Sequence, residues 1–263
     1  MILQDIINII ESVAPLSYQE DWDNSGLQVS NRNAEVNAAL LTVDVTESVV
    51  NEAIALGCDL IVSHHPLLFR GLKQITGSSP QERCVLKAIQ HNIAIYSAHT
   101  SMDSWLHGVS GRMAEKLGVQ NYRILVESQD NVGLGVIGQL AEPMSVQAFM
   151  AHVAKVFGIE GAGVRYVEGK RDMVQKIAIC GGAGADLVNE AIAQGADVYV
   201  SADFKYHELQ AACGQIAVVD MDHWVSEQYT REIFEEILSP YIHTRVAKAD
   251  KSPVRYFLSD MGR

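Results

Sequence analysis

The chain has 263 residues, long enough for one large domain or two closely packed lobes with a sizeable core. A composition of 48% hydrophobic and 20% charged residues is that of an ordinary globular protein, and a net charge of −12 argues against a broad footprint on nucleic acid or an anionic membrane. No apolar run approaches the roughly 18 residues of a membrane span, the start of the chain lacks a basic leader region, and the cysteines Cys58, Cys84, Cys180 and Cys213 form no C-x-x-C pair, so a cytoplasmic protein in a reducing compartment is expected.

Residues 2–13 set Ile2, Leu3, Ile6, Ile7, Ile9, Ile10 and Val13 on a broad helical face that Pro15 ends. Residues 39–43 read as a strand. Next comes Asn51-Glu-Ala-Ile-Ala-Leu-Gly-Cys-Asp-Leu-Ile-Val-Ser63, which returns as Asn189-Glu-Ala-Ile-Ala-Gln-Gly-Ala-Asp-Val-Tyr-Val-Ser201, nine of thirteen positions identical at an offset of 138. Each copy predicts the last turns of a helix, a glycine stop at Gly57 or Gly195, and a short β-branched strand. A strand precedes each copy (39–43, 176–180) and another follows it (93–96, 216–219), the pattern of a parallel sheet with helices around it. The repeat is too long for a solenoid unit, so a duplicated α/β lobe is expected. Residues 145–157 predict an amphipathic helix flanked by strands at 133–138 and 163–167, residues 225–238 a helix with Tyr229, Ile233, Phe234 and Ile237 inward, and residues 254–258 a final strand. The expected lobes are 1–126 and 127–263, with 127–172 as a short connecting segment.

The chemistry is concentrated at strand ends. Ser63-His64-His65-Pro66 closes the apolar run Asp59-Leu60-Ile61-Val62. Within a strand two neighbouring side chains point to opposite faces. Past its end they can fan out, Pro66 biases His65 towards extended backbone, and ligands of open α/β sheets bind at the carboxyl ends of strands. The pair reads either as ligands of two ions or as one packed histidine beside a solvated one. The third strand of each half then leads into a histidine followed four residues later by a carboxylate: His99 with Asp103, and His223 with Glu227. A separation of four puts both groups on one face of a helical turn. Imidazole and carboxylate without thiolate suit Zn²⁺, Fe²⁺, Mn²⁺ or Ni²⁺. A carboxylate can bridge two such ions about 3.5–4 Å apart, which makes hydroxide available near neutral pH and implies hydrolysis or addition of water.

With these motifs and Asp23-Asn-Ser-Gly-Leu-Gln-Val29 and Ser201-Ala-Asp-Phe-Lys-Tyr-His207, the sequence resembles the Nif-three-like family, the GTP cyclohydrolase I type 2 homologues, over nearly its whole length. The resemblance implies two similar, interlocked α/β lobes with mainly parallel sheets, a di-metal cleft between them, and a toroidal homohexamer. It implies two divalent transition-metal ions per chain (Zn, Fe or Mn) on His64, His65, Asp103, His223 and Glu227, with His99 close by. The expected function is hydrolysis of a small molecule, a purine nucleotide or related heterocycle, through a metal-bridging hydroxide, with His99 as proton shuttle. Phosphoester or amide hydrolysis, or a metal-binding assembly without turnover, are the alternatives.

Three further residues follow the second copy of the repeat, where the first has its histidines. Asp203, Lys205 and His207 are substrate contacts or a solvated loop. Gly181-Gly-Ala-Gly184 is a phosphate cradle or a tight turn between strand and helix. His91, His107, His152 and His243 have no partner pattern.

Overall fold

Apolar residues at helical spacing open the chain. Leu3, Ile6, Ile7 and Ile10 are the buried stripe of α1 (Leu3–Val13), which stops at Ala14 ahead of Pro15 because a residue before proline is disfavoured in the helical region. The computed structural model describes residues 1–30, 34–159 and 163–257. After β1 (Gly26–Val29) and β2 (Ala38–Thr42), the first copy of the repeat folds as α2 (Glu47–Leu56) and β3 (Leu60–Ser63). Thr46 caps α2 by accepting a hydrogen bond from the Val49 amide, and Gly57 ends it in the left-handed region at φ 65°. Next come α3 (Pro80–Gln90), capped by Ser79, then β4 (Ala94–Ser97) and a single turn α4 (Thr100–Asp103). The chain continues through α5 (Val109–Lys116), β5 (Val119–Gln129), β6 (Val132–Ser145), α6 (Val146–Val156), β7 (Arg165–Val167) and β8 (Met173–Ile179). The second copy gives α7 (Val188–Ala193) and β9 (Val198–Ala202). It is followed by α8 (Tyr206–Ala212), β10 (Ala217–Met221), α9 (His223–Glu227), α10 (Thr230–Leu238) and β11 (His243–Val246).

Two compact units result. The first is Met1–Trp105 with Gln228–Lys251 and holds a five-stranded sheet ordered β1-β4-β3-β2-β11, parallel except for β1. Its core gathers Leu40, Val49, Val50, Ile61, Val85 and Ile95. Buried Asp250 accepts a hydrogen bond from the Val43 amide (2.7 Å), which fixes the returning chain to the end of β2. The second unit is Leu106–Glu227 with the described residues after Lys251, and its sheet is ordered β5-β6-β8-β9-β10-β7. Tyr199, Val218, Ala178 and Ile137 lie in its core. The pairings Ala39↔Leu60 and Ile177↔Val198 are related by the same offset of 138 as the two sequence copies.

Several expectations are corrected. The second sheet is mixed rather than mainly parallel, because only the β8–β9 and β9–β10 pairings are parallel. A boundary at 126/127 would cut through β5, and residues 127–172 are no connector: β6 is the strand that joins β5 to β8. The helix expected over 225–238 is broken into α9 and α10 at Gln228 and Tyr229, where the chain passes from one unit to the other. Val254–Phe257 form no strand, and Leu258 lies outside the described residues. The last strand is instead β11, an edge strand without apolar alternation and so invisible to periodicity.

Candidate metal centre

The parallel ladder explains why the paired histidines are splayed. Beyond β3 the backbone keeps two more bonds to its neighbour, His64 N to Thr42 O (3.2 Å) and His65 N to Val43 O (2.9 Å). The Ser63 hydroxyl meets that of Ser97 (2.8 Å) and donates to His65 O (2.9 Å), tying the turn to the end of β4. His64 is fully buried and places Nδ1 3.0 Å from Ala98 O, while His65 is half-buried with Nδ1 2.8 Å from Asp44 Oδ1. A carbonyl or carboxylate oxygen can only accept, so each Nδ1 carries the proton and each neutral ring keeps its Nε2 lone pair.

His99, the residue before α4, joins them. Its Nδ1 lies 2.8 Å from Asp23 Oδ1, and its ring centroid is 5.3 Å from that of His64 and 5.4 Å from that of His65. One nitrogen from each of His64, His65 and His99 falls within a mutual separation of 4.8 Å. Asp103 Oδ1 stands 3.6 Å from His64 Nε2. Asp23 itself has no exposed side-chain surface. Burial alone would raise its pKa, but hydrogen bonds from His99, Thr100 and Ser25 hold the carboxyl well below its ordinary value.

In the second unit, His223 opens α9 and its Nε2 lies 3.1 Å from Glu227 Oε2, one turn away. Its Nδ1 lies 2.7 Å from Asp203 Oδ2, the same arrangement as in the first unit. Asp203 occupies the left-handed region at φ 60°, a conformation Asp tolerates better than most residues. Glu227 is buried against Gly182, where a Cβ would fall 2.2 Å from Glu227 Oε1 and where φ is +64°. Only glycine fits there. The amides of the glycine-rich stretch are taken internally: Gly181 by Ser110 Oγ, Gly182 by Ser226 Oγ and Gly184 by Ser201 Oγ. With all three glycine amides taken, the stretch is a tight turn that backs Glu227.

The structure therefore brings His64, His65, His99 and Asp103 together in the first unit, and Asp203, His223 and Glu227 together in the second. Lys205 stands apart, exposed and 3.7 Å from Glu208, and His207 pairs with Gln210 on α8. Asp44 was not legible in the sequence, although a carboxylate just past a strand end was its one signal. Asp23 entered only through the resemblance, as part of a motif. In each unit an imidazole held through Nδ1 by a fixed oxygen acceptor is the pattern that outer-shell partners impose on metal-ligating histidines.

Fold and histidine–carboxylate groups together define an α/β protein of two sheets with a candidate metal centre at its strand ends. The family profile of Duf34/NIF3 (NGG1p interacting factor 3) matches residues 1–253, and the chain belongs to that family. A Clostridium perfringens protein called GTP cyclohydrolase 1 type 2 homolog is 33% identical, covering 97% of this chain and 100% of that protein. A Schizosaccharomyces pombe protein called NIF3 homolog is 30% identical, covering 89% and 88%. Among solved structures, a Bacillus cereus protein related to NIF3 superposes with a TM-score of 0.89 at 25% identity, covering 97% of this chain and 99% of that one. Among the described residues no helix is long and apolar enough to cross a membrane.

Proposed function

We propose that this chain is a metal-dependent hydrolase that holds two divalent ions through His64, His65, Asp103, His223 and Glu227. The observation that carries the reading is that four imidazoles each have Nδ1 on a fixed oxygen acceptor. The donor set of imidazole and carboxylate fits Zn²⁺, Fe²⁺ or Mn²⁺. His223 and Glu227 are too few to hold an ion alone, and the family resemblance counts them among the same ligands as His64, His65 and Asp103. When bound, such ions supply Lewis acidity and a water nucleophile at neutral pH.

The chain's own residues do the rest. Asp23, Asp44 and Asp203 hold protons on Nδ1 of His99, His65 and His223 and so keep each Nε2 basic. His99, backed by buried Asp23, is the residue suited to move a proton between solvent and a reacting group. A purine nucleotide or related heterocycle is the proposed substrate class, supported by the name its relatives carry. Two duplicated lobes belong to the same reading, supported by the offset of 138 that relates the sequence copies and their strand registers; a di-metal cleft and a homohexamer belong to it through the family resemblance alone. The test is elemental analysis of protein purified without added metal, followed by a screen of nucleotides, phosphoesters and amides on metal-loaded protein. Transition metal bound with turnover of a nucleotide ring supports the reading; metal with turnover of phosphoesters alone redirects it.

A further inference from the structure

Beside the three-histidine cluster, folding leaves two large rings in solvent. Trp22 is 59% exposed and Phe69 42% exposed. Their centroids are 5.9 Å apart and their planes meet at 59°. Both stand edge-on to His99, Trp22 at 5.9 Å and 72°, Phe69 at 6.1 Å and 79°. Burial of either ring would stabilise the fold, so their exposure at the same polar spot asks for a reason.

The placement is built. Trp22 adjoins Asp23, which is locked by His99, Thr100 and Ser25. Phe69 adjoins Leu68, whose carbonyl accepts from Asn24 Nδ2 (2.6 Å) and whose amide donates to Gln28 Oε1 (3.1 Å). These two bonds fasten the loop after β3 to β1 and to the segment just before it. The same carboxylate that orients His99 therefore also fixes the residue next to Trp22.

We infer that Trp22 and Phe69 form an aromatic clasp that selects substrates carrying a planar heteroaromatic ring and presents that ring to the His99 side of the cluster. Two faces opening at 59° let a flat guest stack on one ring and meet the other edge-on, the arrangements aromatic pairs favour. An aliphatic or sugar group has no π-face to offer and gains little from either ring. The inference rests on the reading of the histidine cluster as the reacting centre and adds to it the residues that choose the substrate. Neither ring is assigned a chemical step.

The probes are guanosine 5′-monophosphate and ribose 5-phosphate, which share the phosphate and sugar and differ by the planar base. Each is titrated calorimetrically into the full chain as purified, with metal content measured on the same sample. The expected result is that the nucleotide binds at least about tenfold more tightly than the sugar phosphate. Trp22→Ala and Phe69→Ala should each weaken nucleotide binding by roughly tenfold, within the range seen for loss of one base–aromatic stack, and leave ribose 5-phosphate unchanged. Trp22→Phe should restore most of the loss, which a merely structural role for the indole would not predict. Equal binding of the two probes, absence of nucleotide binding, or an unaffected Trp22→Ala variant overturns the clasp. A change in the mass of the assembly on Trp22→Ala, read by light scattering, also overturns it and makes the rings a protein interface. A metal-free sample that keeps the nucleotide preference leaves the clasp standing and overturns the metal reading; a metal-bearing sample without the preference does the reverse.

Discussion

The strand ends of the two units use one framework for different jobs. Ser63-His64-His65 follows β3 and Ser201-Ala202-Asp203 follows β9, at the constant offset of 138. His65 in the first copy offers Nε2, whereas Asp203 at the matching position orients His223. Asp44, which orients His65, matches Gly182, which makes room for Glu227. A donor in one copy corresponds to a positioning group in the other. The first unit thus assembles a convergent set of three imidazoles, and the second pairs one imidazole with one buried carboxylate. The strand registers match, but Asp203 and Gly182 take the left-handed backbone that their counterparts His65 and Asp44 do not; residue type and local backbone together decide whether a side chain binds, orients or yields space.

If the first unit is the main anchor, removing one of its donors has the largest effect. His64→Ala should lower metal affinity by at least about 100-fold, since loss of an outer-shell partner alone costs about 10–100-fold; His107→Ala, at an exposed position, should change nothing. Metal retained after dialysis against a chelator measures both. The three orienting carboxylates rank next. Asp23→Asn should cost more than Asp203→Asn, within about 10–100-fold, because Asp23 is enclosed and Asp203 is half-exposed. Equal losses would remove burial as the distinguishing factor.

Gly182→Ala probes the second unit by itself. The left-handed backbone costs an alanine about 1–2 kcal/mol, and the added Cβ also collides with Glu227. Thermal denaturation should show a loss of about 1–3 kcal/mol, together with weaker metal retention. A loss of stability without any change in metal retention would take Glu227 out of the centre.

The smallest effect is in acid. Asp23 and Glu82, both in the first unit, have folded pKa values below their ordinary ones. For Glu82 the bonds from Thr76 and Ser78 bring it from 4.5 to about 2. A depressed carboxyl stabilises the fold above its unfolded value, and that contribution fades as pH falls through the folded one. In the second unit burial raises Asp220 although Arg165 faces it, and a raised carboxyl gains stability as pH falls. Hydrogen exchange followed from pH 5 to pH 2.5 should therefore show protection lost first around residues 20–25 and 76–82. Earlier loss around Asp220 would contradict this order.

The sequence carried the parts of the site that local rules govern. Gly57 and Gly195 stop helices, β-branched runs make β3 and β9, and the end of a strand is where His64 and His65 can diverge. The spacing of four also held in α9, where His223 faces Glu227. At α4 His99 is the residue before the helix, with φ −97° and ψ −107°, and its carbonyl accepts from the Asp103 amide (3.1 Å), while its ring meets Asp23 and Asp103 Oδ1 approaches His64. What remained illegible was long-range: Asp44 and His65 are 21 residues apart, Asp23 and His99 76. β11 escaped because an edge strand need not alternate, and its pairing with β2 is a tertiary fact.

The central claim, that His64, His65, Asp103, His223 and Glu227 are metal ligands, is tested most directly by metal stoichiometry in wild type and in Glu227→Gln, a change that keeps side-chain volume and removes a negative ligand. After reconstitution with Zn²⁺, Mn²⁺ or Fe²⁺ and removal of free metal, elemental analysis should give about two ions per wild-type chain and clearly fewer in the variant, with its melting behaviour otherwise preserved. Substoichiometric metal in the wild type, or full occupancy in Glu227→Gln, would contradict the account.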